Sequence, residues 1–64
     1  MTFLEAATRL NPALAMFWCD FLNDCAAHGE KVEANFFVEV MGAIRAADYE
    51  IIKLNAGHIE IAKV

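Results

Sequence analysis

Cys19, Cys25, His28 and His58 are the side chains of this 64-residue chain that could carry nucleophilic or metal chemistry. Cysteine–histidine catalysis needs an accessible thiol, a base within reach and a third group that orients the base. A zinc site wants the donors together, usually with two cysteines in a C-x-x-C knuckle. Here both thiols fall inside an apolar helical arc, where cysteine acts as inert packing. Asp20, Asp24 and His28 follow at i, i+4 and i+8. They form one helical stripe, with donors that suit a divalent cation. No fourth ligand is evident, so the simpler account is a solvated acidic edge ending in a histidine that caps the helix. The chain has no serine, which removes serine nucleophiles. Gly29, Gly42 and Gly57 stand too far apart to cradle a phosphate. The expectation is a non-enzymatic protein with no catalytic residue, no metal and no cofactor.

Charge distribution rises above this background. Nine acids stand against five bases, for a net charge of −4. Seven of them, Asp20, Asp24, Glu30, Glu33, Glu39, Asp48 and Glu50, are opposed in their segment only by Lys31 and Arg45, which leaves that segment at −5 and the remainder at +1. Asp20 and Asp24 form a like-charge i,i+4 pair, which costs a helix about 0.2–0.5 kcal/mol. A sequence shaped by stability alone would avoid it. The seven acids are read as a patch for a basic protein partner; the alternative is charge that keeps a very apolar domain soluble. Direct nucleic-acid binding is disfavoured, because phosphate contacts need clustered Lys and Arg. Phe17, Trp18, Phe21, Phe36 and Phe37 lack the basic groove of a base-stacking platform and are expected in the core.

The elements that must position these residues are three helices and a ribbon. Thr2-Phe3-Leu4-Glu5 has the form of a capping box and opens a helix over about 2–10. Phe3, Leu4, Ala7 and Leu10 share one side of it, and Glu5 and Arg9 form an i,i+4 pair on the other. Asn11-Pro12 starts the second helix, over about 12–27, with Asn as cap and Pro at the first helical position. Its apolar arc is Leu14, Phe17, Trp18, Phe21, Leu22 and Cys25, and Asp20, Asn23 and Asp24 take the opposite edge. His28-Gly29 ends it, with Gly in the left-handed conformation. A third helix spans about 32–47 and buries Val32, Phe36, Phe37, Val40, Met41 and Ile44. The period then changes to that of a β-hairpin, 49–54 and 59–64, turning at Gly57. Pairing Leu54 with Ile59 sets Lys53 opposite Glu60, Ile52 opposite Ile61 and Glu50 opposite Lys63. That register turns Ile52, Leu54, Ile59 and Ile61 toward the helices. The fold class is α+β, one domain over 1–64, in the helix–helix–helix–hairpin order of a winged helix.

In size, in the acids from Asp20 to Glu50 and in its lack of catalytic residues, the chain resembles the small phage-encoded inhibitors of the anti-CRISPR kind. Some of those proteins mimic DNA with rows of carboxylates. The resemblance implies a bacterial host cell and a partner with a basic surface, such as a CRISPR effector subunit.

Cys19 and Cys25 lie roughly 9 Å apart along one helix, too far for the ~4.4–6.8 Å between Cα atoms that a disulfide requires. Free thiols suit the cytoplasm. The N-terminal MTFLEAATRL lacks the basic start of a signal peptide, and the longest apolar run, Ala13 to Cys19, falls far short of the ~20 residues of a membrane span. With 59% hydrophobic residues, the chain carries more apolar surface than three short helices and one ribbon can cover. Val38, Gly42 and Ala46, at i, i+4 and i+8 on the third helix, and Tyr49, Ile51 and Val64 on the outer face of the hairpin are therefore candidate self-association surfaces, giving a possible homodimer. The rival reading of function is a small homo-oligomeric regulator or scaffold of winged-helix order, although the third helix offers only Arg45 as a base on its outer face.

Overall fold

The computed structural model describes residues 2–55 and 58–64. Three helices, α1 (Phe3–Leu10), α2 (Ala13–Ala27) and α3 (Ala34–Ala46), precede two antiparallel strands, β1 (Tyr49–Asn55) and β2 (His58–Lys63). The hairpin turn residue Gly57 lies outside the described residues.

Local chemistry sets most boundaries. Thr2 caps α1 by accepting the Glu5 amide at 3.1 Å, which satisfies one of the orphan donors at a helix start. Pro12 begins α2 in helical conformation (φ −57°), and the Asn11 carbonyl accepts the Leu14 amide at 2.9 Å. The N-cap position thus falls on Pro12, which has no polar side chain to cap with, and not on Asn11. At the far end Gly29 takes φ +71°. Its amide returns to Ala26 O at 3.2 Å and that of Glu30 to Cys25 O at 2.8 Å, the paired bonds of a Schellman close. The α3 helix also ends on a left-handed residue, without a glycine: Asp48 takes φ +62° and donates its amide to Arg45 O at 3.1 Å.

The core is a single small cluster of Ala15, Cys19, Leu22, Val40, Met41, Ile44, Ala47 and Ile59. Its composition corrects the expected arc of α2. The buried stripe is Ala15, Cys19, Leu22 and Cys25, whereas Phe17 and Phe21 are exposed and Trp18 is half-buried. Relative to its apolar arc, α2 is rotated by about a quarter turn at 100° per residue. The small side chains Ala15 and Cys19 face inward, which lets strand β2 lie close against the helix. The expectation that the aromatic rings fill the core therefore fails for Phe17 and Phe21; Phe36 and Phe37 are half-buried at its margin. Helix α1 departs in a similar way. Leu4 packs on the core and Thr8 is fully buried, but Phe3 and Leu10 are 84% and 89% exposed. The buried Thr8 hydroxyl is satisfied by donating to Leu4 O at 2.7 Å.

Two placements of the self-association candidates are also corrected. Helix α1 packs mainly on α3, and a Cβ at Gly42 would sit 3.1 Å from the Glu5 carboxylate. The close approach that Gly42 permits is thus made by the chain's own first helix, with Ala46 half-buried and Val38 exposed. In the hairpin, Ile51 pairs with Ile61 and Lys53 with Glu60, so Ile52 is a bulge without a partner. The extra residue reverses which side chains point inward beyond it. Tyr49 and Ile51 pack against the core and do not form an outer face, while Ile52 and Leu54 are 56% and 52% exposed. The pairs Leu54–Ile59 and Lys53–Glu60 form as expected, but Glu50 faces Ala62 and Lys63 faces Tyr49. Lys63 gains other partners: Nζ lies 5.0 Å from the Tyr49 ring centre and donates to Ala47 O at 3.1 Å, at the end of α3. A cation is favoured at that end of a helix dipole.

Candidate functional site

The seven acids of the 20–50 segment are all exposed. They lie on α2 (Asp20, Asp24), on the connection to α3 (Glu30, Glu33), on α3 (Glu39), at its end (Asp48) and on β1 (Glu50). Among the described residues the carboxylate within ion-pair distance of a basic side chain is Glu60, 3.2 Å from the His58 ring on the surface, so none of the seven is paired. Unpaired carboxylates project a field that a basic partner would feel.

The structure brings some of these acids together and leaves others apart. Glu30 and Glu33 line one cleft, between the end of α2 and the start of α3, with Phe21, Val32 and Phe36 beside them. Burial raises the Cys25 thiol above its ordinary pKa, and the carboxylates of Glu30 and Asp24 push it the same way. Asp24 adjoins Cys25 in the chain but does not line the cleft. Burial likewise raises Cys19, with Asp20 and then Glu60 adding to it against a lowering hydrogen bond from Asn23. Glu60, which sequence counting places outside the acidic segment, is thus joined to Asp20 through the docking of β2 on α2. Asp48 has a backbone role of its own, since its carbonyl accepts the Val64 amide at 2.9 Å and ties the chain end to the α3–β1 corner.

Next to the Glu30–Glu33 cleft stands a cluster of rings. Trp18 meets Phe17, Phe21 and Phe36 edge-on, with centroids at 5.1, 6.2 and 6.0 Å. Phe21 meets Phe36 in the same manner at 6.3 Å. Phe17, Phe21 and Asp24 follow at i, i+4 and i+7 on α2, so rings and carboxylate share one helix edge. The indole Nε1 of Trp18 is buried and has no hydrogen-bond partner among the described residues.

The groups weighed for catalysis and metal binding are placed differently. Cys19 and Cys25 are free, buried thiols. The Cys19 thiol donates to Ile59 O at 3.4 Å. His28 does not turn toward Asp20 with Asp24; its Nδ1–H donates to the Asp24 backbone carbonyl at 2.8 Å. Groups of three or more His, Cys, Asp or Glu arranged to hold a metal are absent among the described residues. No helix is long and apolar enough to cross a membrane.

Asn23 is the polar residue that sequence reasoning misplaced. It was expected on the solvent edge of α2, yet it is half-buried and bonded to β2 through both ends of its amide. Its spacing from Cys19 was the available signal, since i and i+4 share a face, but nothing in the sequence says that a strand edge lies opposite. Comparison with known protein families, curated proteins and solved structures found no match.

Proposed function

We propose that this chain is a non-enzymatic, acidic binding protein that blocks a basic, nucleic-acid-binding surface of a host protein complex, such as a CRISPR effector, in the cytoplasm of a bacterial cell. The observation that carries this reading is the set of seven exposed acids between Asp20 and Glu50, none in an ion pair among the described residues. A fold that stabilised itself with those charges would pair them with its five bases; here Lys63 instead caps α3. Rings beside the acids supply what charge lacks, since interfaces gain most of their affinity from buried aromatic anchors and their on-rate from charge. Capture from bacterial lysate on immobilised protein tests this. The expected catch is a nucleic-acid-binding complex that is released by salt, is displaced by DNA and is lost when Asp20, Asp24, Glu30 and Glu33 are changed together to Asn or Gln. Recovery of DNA alone, or of nothing but the chain itself, overturns the reading.

A second reading, a homo-oligomeric scaffold or regulator of winged-helix order, is favoured by the exposure of Phe3 and Leu10. They lie seven residues apart on one face of α1. Light scattering across a concentration series separates the two. A mass that rises with concentration, and falls again in Phe3→Ser/Leu10→Ser, supports self-association; a constant monomer mass removes it.

A further inference from the structure

We infer that the cleft between the end of α2 and the start of α3 receives an arginine side chain of the basic partner, a step that rests on the function proposed above. The cleft measures about 350 Å³; Phe21, Val32 and Phe36 form its apolar wall and Glu30, Glu33 and Lys31 its rim.

Its origin lies in the rotation of α2. Because the helix turns Ala15, Cys19 and Leu22 inward, the edge bearing Phe17 and Phe21 stays outside. Phe17 and Phe21 are 54% and 38% exposed, and a contiguous exposed apolar patch of this kind marks a partner surface. The chemistry of the rim narrows what that is. An apolar partner seated on Phe21 and Phe36 would strip water from Glu30 and Glu33 and leave carboxylates unpaired, at a large desolvation cost. A cation removes that penalty. The rim holds two carboxylates, Glu30 and Glu33, against Lys31, a local charge of −1. Lysine and arginine both carry the right sign. Arginine fits better, because its planar guanidinium stacks on a ring face while its N–H fork takes carboxylate oxygens in pairs, and it is less strongly hydrated than an ammonium.

The test uses the intact chain and two blocked peptides of equal length, oligo-arginine and oligo-lysine, at low salt. Backbone amide shifts map the contact, and emission of the one tryptophan, Trp18, whose ring lies 6.0 Å from that of Phe36, reports on it. The arginine peptide is expected to move the amides of Phe21, Val32 and Phe36 and to bind more tightly than the lysine peptide. Glu30→Gln/Glu33→Gln should weaken it about tenfold. The charge-matched control Glu5→Gln/Glu60→Gln should leave it within about twofold, because rim charges act locally once screened. Phe21→Leu, at an exposed position, should narrow the advantage of arginine over lysine. Shifts spread over all the acids, equal loss in the control, or equal binding of the two peptides would show that charge alone attracts the peptide and would overturn the arginine site. Each of those results leaves the wider reading standing, which capture from lysate decides separately.

Discussion

Asn23 grips both backbone groups of Ile59: its Oδ1 accepts the Ile59 amide at 2.8 Å and its Nδ2 donates to the Ile59 carbonyl at 2.9 Å. One side-chain amide thereby does for β2 what a third strand would do. It satisfies polar groups on the strand edge away from β1, and it fixes the depth at which Ile59 enters the core, where that residue is 5% exposed. A two-stranded ribbon is marginal by itself, and this clamp adds to the apolar contacts of Ile59 and Ile61 that hold it on the helices.

Asn23→Ala should therefore cost about 1–3 kcal/mol, the penalty of leaving the buried Ile59 amide without a partner, while its carbonyl keeps the Cys19 thiol. Asn23→Asp should cost a similar amount, because a carboxylate can accept from the Ile59 amide but cannot donate to its carbonyl. Urea unfolding checks the magnitude, and hydrogen exchange at the Ile59 amide checks the location. A loss under about 0.5 kcal/mol, the range of neutral surface changes, would mean that the hairpin is held by apolar contact alone.

Asp48→Gly should stabilise the protein. Asp48 sits at φ +62°, where a side chain costs about 1–2 kcal/mol that glycine does not bear, less the roughly 0.5–1 kcal/mol of backbone entropy that glycine loses on folding. The net expectation is a gain of a few tenths to about 1 kcal/mol. If thermal unfolding shows a loss, the Asp48 carboxylate makes a contribution to the fold that outweighs the strain.

Gly42→Glu should destabilise the monomer. Its Cβ would meet the Glu5 carboxylate at 3.1 Å, a flexible side-chain end that can yield, so the cost comes from the bulk and repulsion of the second carboxylate against α1, about 1–3 kcal/mol, less the ~1 kcal/mol of helix propensity that replacing glycine returns. Circular dichroism should show helix loss that is independent of protein concentration. A fully folded variant with altered oligomeric state would instead place Gly42 at a contact between chains.

Stability should fall in alkali through the two thiols. Burial raises both Cys19 and Cys25 in the folded protein, so the native state keeps its thiol protons at a pH where the unfolded chain has lost them. By linkage, the contribution is whole below the unfolded thiol pKa of about 8.5 and is lost as pH rises toward the folded values. Cys19→Ala/Cys25→Ala should start less stable, through lost packing, but decline less steeply above that pH. Parallel slopes for the two proteins in denaturant melts across the alkaline range would show that the thiols are no more protonated folded than unfolded.

What the sequence determined by itself is local. The capping threonine, the Asn11-Pro12 break, the left-handed Gly29 and the change of period at Tyr49 each act within a few residues of chain, so three helices and a hairpin could be read directly. Which face of each element turns inward was decided by tertiary structure alone. Helix α2 offered two defensible inward faces, one with large rings and one with Ala15 and Cys19. The second wins because a strand can approach small side chains closely and gain the Asn23–Ile59 bonds, which are invisible until β2 is in place. The bulge at Ile52 is of the same kind: simple alternation favoured Ile52 inward, and one unpaired residue exchanged it for Ile51. The acids were legible as a composition, since charge needs no neighbour to be counted. That Glu30 and Glu33 share a cleft with Phe21 and Phe36 follows only from how α2 and α3 cross. A chain this short has many near-equal ways to bury its apolar surface, and a few long-range polar contacts select among them.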